Sequence, residues 1–269
     1  MVVVRVKEKE AKPEKKDWLR VFQTVATTVT AVVAVGGILL SFLTVRTQRD
    51  TARNDRFTYA IEHLKDESLA IRMGALFELK KLGLEDEGLQ ESIVRILNPF
   101  IREGIENEKL LLPPISDYDS PHPNDDIFIA CEIVSLFFEQ SNCRISLKYL
   151  KAEGLNLNYI QLKGADLLGA QLQGTLLWEA QLQRANLSQA QLQYAYLFEA
   201  QLQNVFFAHA QLLGAVLGKA NLTDAYFVGA DLQETDLTVE QLLDARVYKD
   251  VLLDPDLRAE YDRLKAEQE

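Results

Sequence analysis

Cysteine is nearly absent. Of 269 residues only Cys131 and Cys143 carry thiols, which excludes a disulfide scaffold and a four-thiolate zinc site. Histidine is as scarce: His63, His122 and His209 stand far apart, and none has metal-ligand spacing to either cysteine. No P-loop, nucleophile elbow or glycine-rich dinucleotide turn occurs, so the reading is a non-enzyme with no catalytic residue, cofactor, metal or small-molecule substrate. Basic residues are in deficit, 29 Lys+Arg against 40 Asp+Glu, a net charge of −11. A general nucleic-acid binder needs the opposite balance. A charged fraction of 26% also excludes a polytopic membrane protein.

That charge is unevenly distributed. Residues 1–45 sum to +3, 46–143 to −8, 145–239 to −3 and 240–269 to −4. The acid lies in the middle and the tail, and Asp231, Glu234, Asp236 and Glu240 read as a solvated cap rather than a divalent-ion site.

After a charged tail at 1–20, residues 21–45 contain no charge: VFQTVATTVTAVVAVGGILLSFLTV. As a helix this run is long enough to cross a bilayer, with Trp18, Arg20, Arg46 and Arg49 placed as interfacial anchors. The expectation is a single-pass transmembrane helix over 21–45; a buried or oligomerisation helix is the alternative, because four threonines dilute the run. Sidedness signals conflict. Residues 6–20 hold more Lys/Arg than 46–60, which favours a cytoplasmic N-terminus. Two thiols without a disulfide framework favour a reducing side for the C-terminal bulk, and the cytoplasm is preferred for it.

Residues 46–104 read as a helical unit of HEAT-like packing. Phe57, Ala60, Ile61 and Leu64 share one face; Leu69, Met73, Leu76 and Leu79 mark a second helix that Gly83 ends; Leu89, Ile93, Ile96, Leu97 and Phe100 mark a third, shortened at Pro99 and stopped near Gly104. A Pro-rich loop follows at 105–125, then a mostly apolar helix at 126–141 that caps what comes next.

From 145 to 239 the chain has a period of five. Small residues recur at Ala165, Ala170, Thr175, Ala180 and onward, and two positions later stand Leu167, Leu172, Leu177, Leu182 and their successors. Neither a 3.6 period nor a period of two explains this; short extended pieces, each turning a corner, do. Gly164, Gly169, Gly174, Gly214 and Gly229 fall at one corner position, where a permissive backbone helps. Asp, Asn or Gln between the two inward residues can bond corner backbone groups.

The A(D/N/Q)Lxx pattern resembles the pentapeptide-repeat family. That resemblance implies a right-handed quadrilateral β-helix, four units to a coil, about 4.8 Å per coil. The stretch RFTYAIEHLKDESLAIRMGALFELKKLG is similar to the helical segment before the repeats in bacterial membrane-anchored members. LTVEQLLDA at 237–245 resembles their closing helix, within a C-terminal helical cap and tail at 240–269. The fold class expected is therefore α+β.

Folding the repeats by twenty puts Leu176, Trp178, Tyr196, Phe198 and Val216 outward on one face and Phe206, Tyr226 and Val228 on its neighbour. Gln161, Gln181, Gln201 and Gln171, Gln191, Gln211 form polar ladders. Exposed aromatics in a row mark contact sites, so these eight residues are the candidate interaction surface; the alternative is that the helical middle or the tail folds back and covers them. The leading expectation is a membrane-anchored interaction or scaffold module that binds a partner protein or a second copy, with no nucleic-acid partner. The family also implies a DNA-mimicking topoisomerase (gyrase) modulator. A third reading is an oligomeric membrane effector, in which Gly36, Gly37 and the threonines pack helices closely.

Overall fold

The computed structural model describes residues 15–107, 125–141, 143–247 and 250–268, with side chains from residue 33. Two compact units are present, Met1–Asp55 and Arg56–Glu269.

Helix α1 (Lys15–His63) runs unbroken for 49 residues across that division. Where the sequence suggests a span at 21–45 and a separate helix near 57, one helix continues, because no Pro or Gly stands between Arg46 and Arg56 to end it. The transmembrane helix expected at 21–45 is not found: among the described residues no helix is long and apolar enough to cross a membrane. Side chains of 21–32 lie outside the described residues. Within 33–45, Val33, Val35, Ile38, Leu39, Leu40, Phe42, Leu43 and Val45 are all exposed.

The second unit begins with four helical pieces: the end of α1, α2 (Leu69–Glu85), α3 (Gln90–Asn107, preceded by a single 3-10 turn) and α4 (Asp125–Ser141). The loop residues 108–124, including His122, lie outside the described residues. Both glycine stops are absent. Helix α2 passes Gly83 to Glu85, and α3 passes Pro99 and Gly104 to Asn107. The reason is packing: the space a Cβ on Gly83 would fill is taken by the Phe137 ring, and that of Gly104 by Ile127, both on α4. Two glycines that read as terminators are close-contact points instead. Leu76, Leu79, Ile93, Leu97, Ile101, Ile105, Ile133 and Phe137 are fully buried between these helices. Arg72 donates from Nε to Asp126 at 2.6 Å and from Nη1 to the Asp66 carbonyl at 3.0 Å, so the charge of the buried Asp126 is paired.

From Ile145 the chain winds as a column whose bridged residues pair in parallel with those twenty positions later: Ser146 with Asp166, Lys151 with Gln171, Asn156 with Leu176, Gln161 with Gln181, and so on upward. Twenty residues holding four bridges make a four-sided coil. Each bridged residue has both its N–H and its C=O turned to the coil below: Asp166 N–H donates to the Ile145 carbonyl and Leu147 N–H donates to the Asp166 carbonyl, both 2.8 Å. A single bridged residue lies between successive corners, so the sides are isolated bridges. Among the described residues consecutive strand residues occur once, where β1 (Tyr226–Phe227) pairs with β2 (Arg246–Val247).

Among the described residues the corners have positive φ at the third residue of a turn, and all but those at Gly229 and Glu234 are closed by an N–H to C=O bond three residues apart, as from Leu150 to Leu147 at 3.1 Å. Six corners are Gly, at φ 61–67°, but twelve carry side chains, among them Tyr149, Arg184, Gln189 and Tyr194, at 52–63°. Side-chain bonds help to hold them. Asn156, Asn186 and Asn221 accept the N–H two residues on at 3.1–3.2 Å, and Gln161, Gln181 and Gln201 donate to the carbonyl two residues back at 3.2–3.3 Å.

Inside, Ala and Leu alternate at 0–4% exposure from Ala165 to Leu232, with Phe207 stacked on Phe227 at 5.0 Å. Thr175 replaces an inward Ala and satisfies its buried hydroxyl by donating to the Ala152 carbonyl at 2.6 Å.

Both ends are finished by other parts of the chain. Below, Asn98 of α3 accepts the Ser146 N–H at 3.1 Å, Arg102 of α3 donates to the Lys148 carbonyl at 2.8 Å, and Ser135 of α4 donates to the Gln161 carbonyl at 2.9 Å. These side chains stand where a preceding coil's backbone would be. Above, α5 (Val239–Leu243) begins in a capping box at Thr238. Gln241 donates to the Leu217 and Ala220 carbonyls at 2.9 Å, Arg246 continues the Tyr226 side, and Leu252 continues the Asp231 side. Helix α6 (Pro255–Gln268) follows, with Tyr261 buried.

Candidate functional site: the sides of the column

Bridging by twenty fixes which outward residues share a side. The first side carries Ser146, Asp166, Asn186, Phe206 and Tyr226; the second Lys151, Gln171, Gln191, Gln211 and Asp231; the third Asn156, Leu176, Tyr196 and Val216; the fourth Gln161, Gln181, Gln201 and Asn221. Trp178 and Phe198 stand two residues beyond Leu176 and Tyr196, so all five members of the first expected group share the third side. The second group is not its neighbour. Phe206 and Tyr226 lie two units away around a four-unit coil, on the opposite side of the column, with Val228 beside them. Between these two aromatic sides run the two glutamine sides.

On the third side Trp178 is 40% and Tyr196 50% exposed, while Leu176, Phe198 and Val216 are half-buried, with no helix packed over them among the described residues. Tyr159, one coil lower, joins the row with its ring 5.6 Å from that of Trp178. It escapes the sequence reading because it sits at a corner rather than between inward residues. A signal existed: residues 19 apart are ladder partners, and Tyr159 N–H donates to the Trp178 carbonyl at 2.9 Å. Lys219 lies 5.2 Å from the Phe198 ring centroid and pairs with Glu199 at 3.0 Å, placing a charged pair at the upper rim.

On the first side Phe206, 46% exposed, stacks on Tyr226 at 4.9 Å and 13°, and the Arg246 guanidinium lies 4.8 Å above the Tyr226 ring while donating to Asp224. Arg246 comes from β2, after α5, so its place in this stack is visible only in three dimensions.

The glutamine sides bond within themselves. Gln183 donates to Gln181 and Gln203 to Gln201, each at 2.8 Å, while Gln173 and Gln193 reach up one coil to Gln191 and Gln211. The acidic cluster has structural partners: Asp236 accepts the Leu217 and Gly218 N–H groups, and Asp231 accepts the Gln233 N–H. His209 is a corner residue whose ring lies against Gly229, and His63 stacks on Tyr59 at 3.9 Å. Burial raises the pKa of the Cys131 thiol; burial, and then the Glu91 charge, raise that of Cys143.

Comparison with known proteins adds the family. Residues 165–204 and 200–238 match the model for pentapeptide repeats. Among solved structures, a pentapeptide repeat protein from the cyanobacterium Cyanothece 51142 is 29% identical over 40% of this chain and 63% of its own, with a TM-score of 0.24. A pentapeptide repeat protein from the Arabidopsis thaliana thylakoid lumen is 28% identical over 39% of this chain and 70% of its own, TM-score 0.23. QnrB1, a plasmid-mediated fluoroquinolone resistance protein, is 18% identical over 44% of this chain and 65% of its own, TM-score 0.29. The chain thus spans less than two thirds of the first of these structures. No curated protein matches it. The family match falls on the same coils that the bridges define: residues 165–238 of the column match pentapeptide repeats.

Proposed function

We propose that this is a non-enzymatic interaction module in which the rigid column presents its third side, Leu176, Trp178, Tyr196, Phe198 and Val216 with Tyr159, to a protein partner. The single observation that carries this reading is the alignment of exposed apolar residues in one row: the bridges hold them in register, so a partner meets a preorganised surface. Phe206, Tyr226 and Val228, on the opposite side, are a second and smaller patch. A DNA-mimicking role is less well supported, because the second and fourth sides carry neutral glutamines where a mimic needs rows of carboxylates.

Attachment to a membrane is part of the same proposal. Its support is the uncharged run 21–45 together with the exposure of the apolar side chains in its described part.

The test is site-specific photocrosslinking of the whole chain in cells. A photoreactive residue at Trp178 should give a discrete adduct, and one at Gln191 on the polar second side should not. Equal labelling from both positions would sink the third side as the partner surface. In the same cells, I38D/F42D should move the chain from the alkali-resistant membrane pellet to the supernatant; an unchanged distribution would remove the membrane from the proposal.

A further inference from the structure

Glycine inside a helix costs stability relative to alanine, so each one calls for a neighbour that needs the room. Gly83 of α2 has Phe137, and Gly104 of α3 has Ile127. Gly74 of α2 has none: a Cβ there would meet nothing within 4 Å, and the residue is exposed. It stands at the centre of an apolar stripe that the described residues leave uncovered. Ile71 and Phe77, three residues to either side, are 40% and 54% exposed. Leu76, Leu79 and Leu82 of the same helix are fully buried, so α2 is apolar on two sides and packed on one. Charge continues the pattern. Glu67, in the turn before α2, stands seven residues ahead of Gly74, and Lys81 stands seven after it. Both are exposed, and neither forms an ion pair among the described residues; the Lys81 charge is felt only through space by Glu85 on the same helix.

We propose that this face of α2 pairs with the same face of a second copy of the chain, antiparallel about a two-fold axis at Gly74. A two-fold contact requires a surface complementary to itself, in which one residue meets another and the second meets the first. Read outward from Gly74, the two directions of α2 meet that requirement: Ile against Phe at three residues, Glu against Lys at seven. The two Gly74 backbones cross at closest approach. Ile71 of one copy and Phe77 of the other then reach the same level and close over the crossing from its two flanks. One turn further out, Glu67 of each copy meets Lys81 of the other, so both unpaired charges find partners. Antiparallel packing also sets the positive end of each helix dipole beside the negative end of the other. This complementarity names a second copy as the occupant, since an unrelated helix would have no reason to repeat the same residues in reverse. The contact is a few residues a side, below the size of a permanent interface, so the pairing is reversible. It leaves the third side of the column free.

Sedimentation equilibrium of the full chain in a mild detergent reads the pairing. E67K and K81E should each weaken it about five- to tenfold, because two exposed ion pairs become two like-charge contacts, and E67K/K81E should restore it. F77D should abolish it. G74L should weaken it while raising the unfolding midpoint, since a side chain favours the helix and obstructs the crossing. W178D and I38D/F42D should leave it unchanged, which separates the α2 face from the third side and from the apolar run of α1. In a C143S background, differently tagged copies carrying E67C and K81C should crosslink to each other through a short bismaleimide. Two E67C copies should not, because the antiparallel register sets them about 21 Å apart along the helix axis. Any of the following overturns the proposal: a monomer at every concentration, a double charge reversal no better than either single one, loss of pairing in W178D or I38D/F42D, or equal crosslinking of two E67C copies.

Discussion

At each corner of the column one residue decides whether the backbone is at ease. Left-handed backbone costs a residue with a Cβ about 1 kcal/mol or more, and twelve corners bear that cost because the ladder above and below holds them in place. Gly174 and Gly164 separate strain from packing. Both have positive φ, but a Cβ on Gly174 meets open space, whereas one on Gly164 meets the Phe138 ring. Gly174→Ala should lower stability by about 1 kcal/mol. Gly164→Ala should lose a further ~1–3 kcal/mol through overpacking. Urea midpoints of the two variants check this; equal losses would show that Phe138 gives way freely. The inward leucines were legible from spacing alone, since Leu at every fifth position has no other economical explanation. The side-chain-bearing corners were not, because Tyr, Arg and Gln carry no preference for that conformation and adopt it only under the ladder's constraint.

Among the elements, α3 and α4 act as substitutes for a missing coil. Asn98 and Arg102 sit one helical turn apart, and that spacing lets them reach the Ser146 N–H and the Lys148 carbonyl together. Replacing Asn98 and Arg102 with Leu and Met keeps the helix and removes the polar partners, leaving edge groups to water. Exchange at the Leu147 and Tyr149 amides should then quicken about tenfold or more, while amides such as Leu187 and Leu197 in the middle coils keep their protection. Uniform acceleration along the column would mean that the helices stabilise it globally rather than at its edge. A capping helix at 126–141 was expected from its apolar composition. That Asn98 and Arg102 supply the edge bonds was invisible, because a polar residue on an amphipathic helix looks the same whether it faces solvent or a sheet edge. Gly83 and Gly104 misled for a related reason: glycine ends helices and also admits close neighbours, and only the neighbour tells which.

At the scale of the molecule, the helical unit is pinned to the end of α1 by Arg56, which bonds Glu78 and, at 3.0 Å, Glu85 on α2. The hydrogen bond from Arg56 holds the Glu85 carboxyl below the ordinary carboxylate range. A carboxylate whose folded pKa is depressed contributes stability above its unfolded pKa, about 4.3, and loses it as pH falls through the folded value. Stability of the α1–α2 junction should therefore decline on acidification below about pH 4. E85Q should be less stable than the parent at pH 7 and should lose that part of the acid response, as read by thermal unfolding across pH. A parent and variant with parallel pH profiles would show that Glu85 contributes nothing.

Sequence alone determined that residues 145–239 form a five-residue repeat with an Ala and Leu interior, since that period sets the inward positions regardless of the rest of the chain. It also determined which outward residues are aromatic. Tertiary structure decided where they go. The count of four units per turn places Phe206 opposite Tyr196 rather than beside it, and a single corner more or fewer would rearrange every side. The ends were decided only in three dimensions as well: the bonds that close the first side of the lower edge come from residues some fifty positions away, whose side chains have no period to reveal their targets.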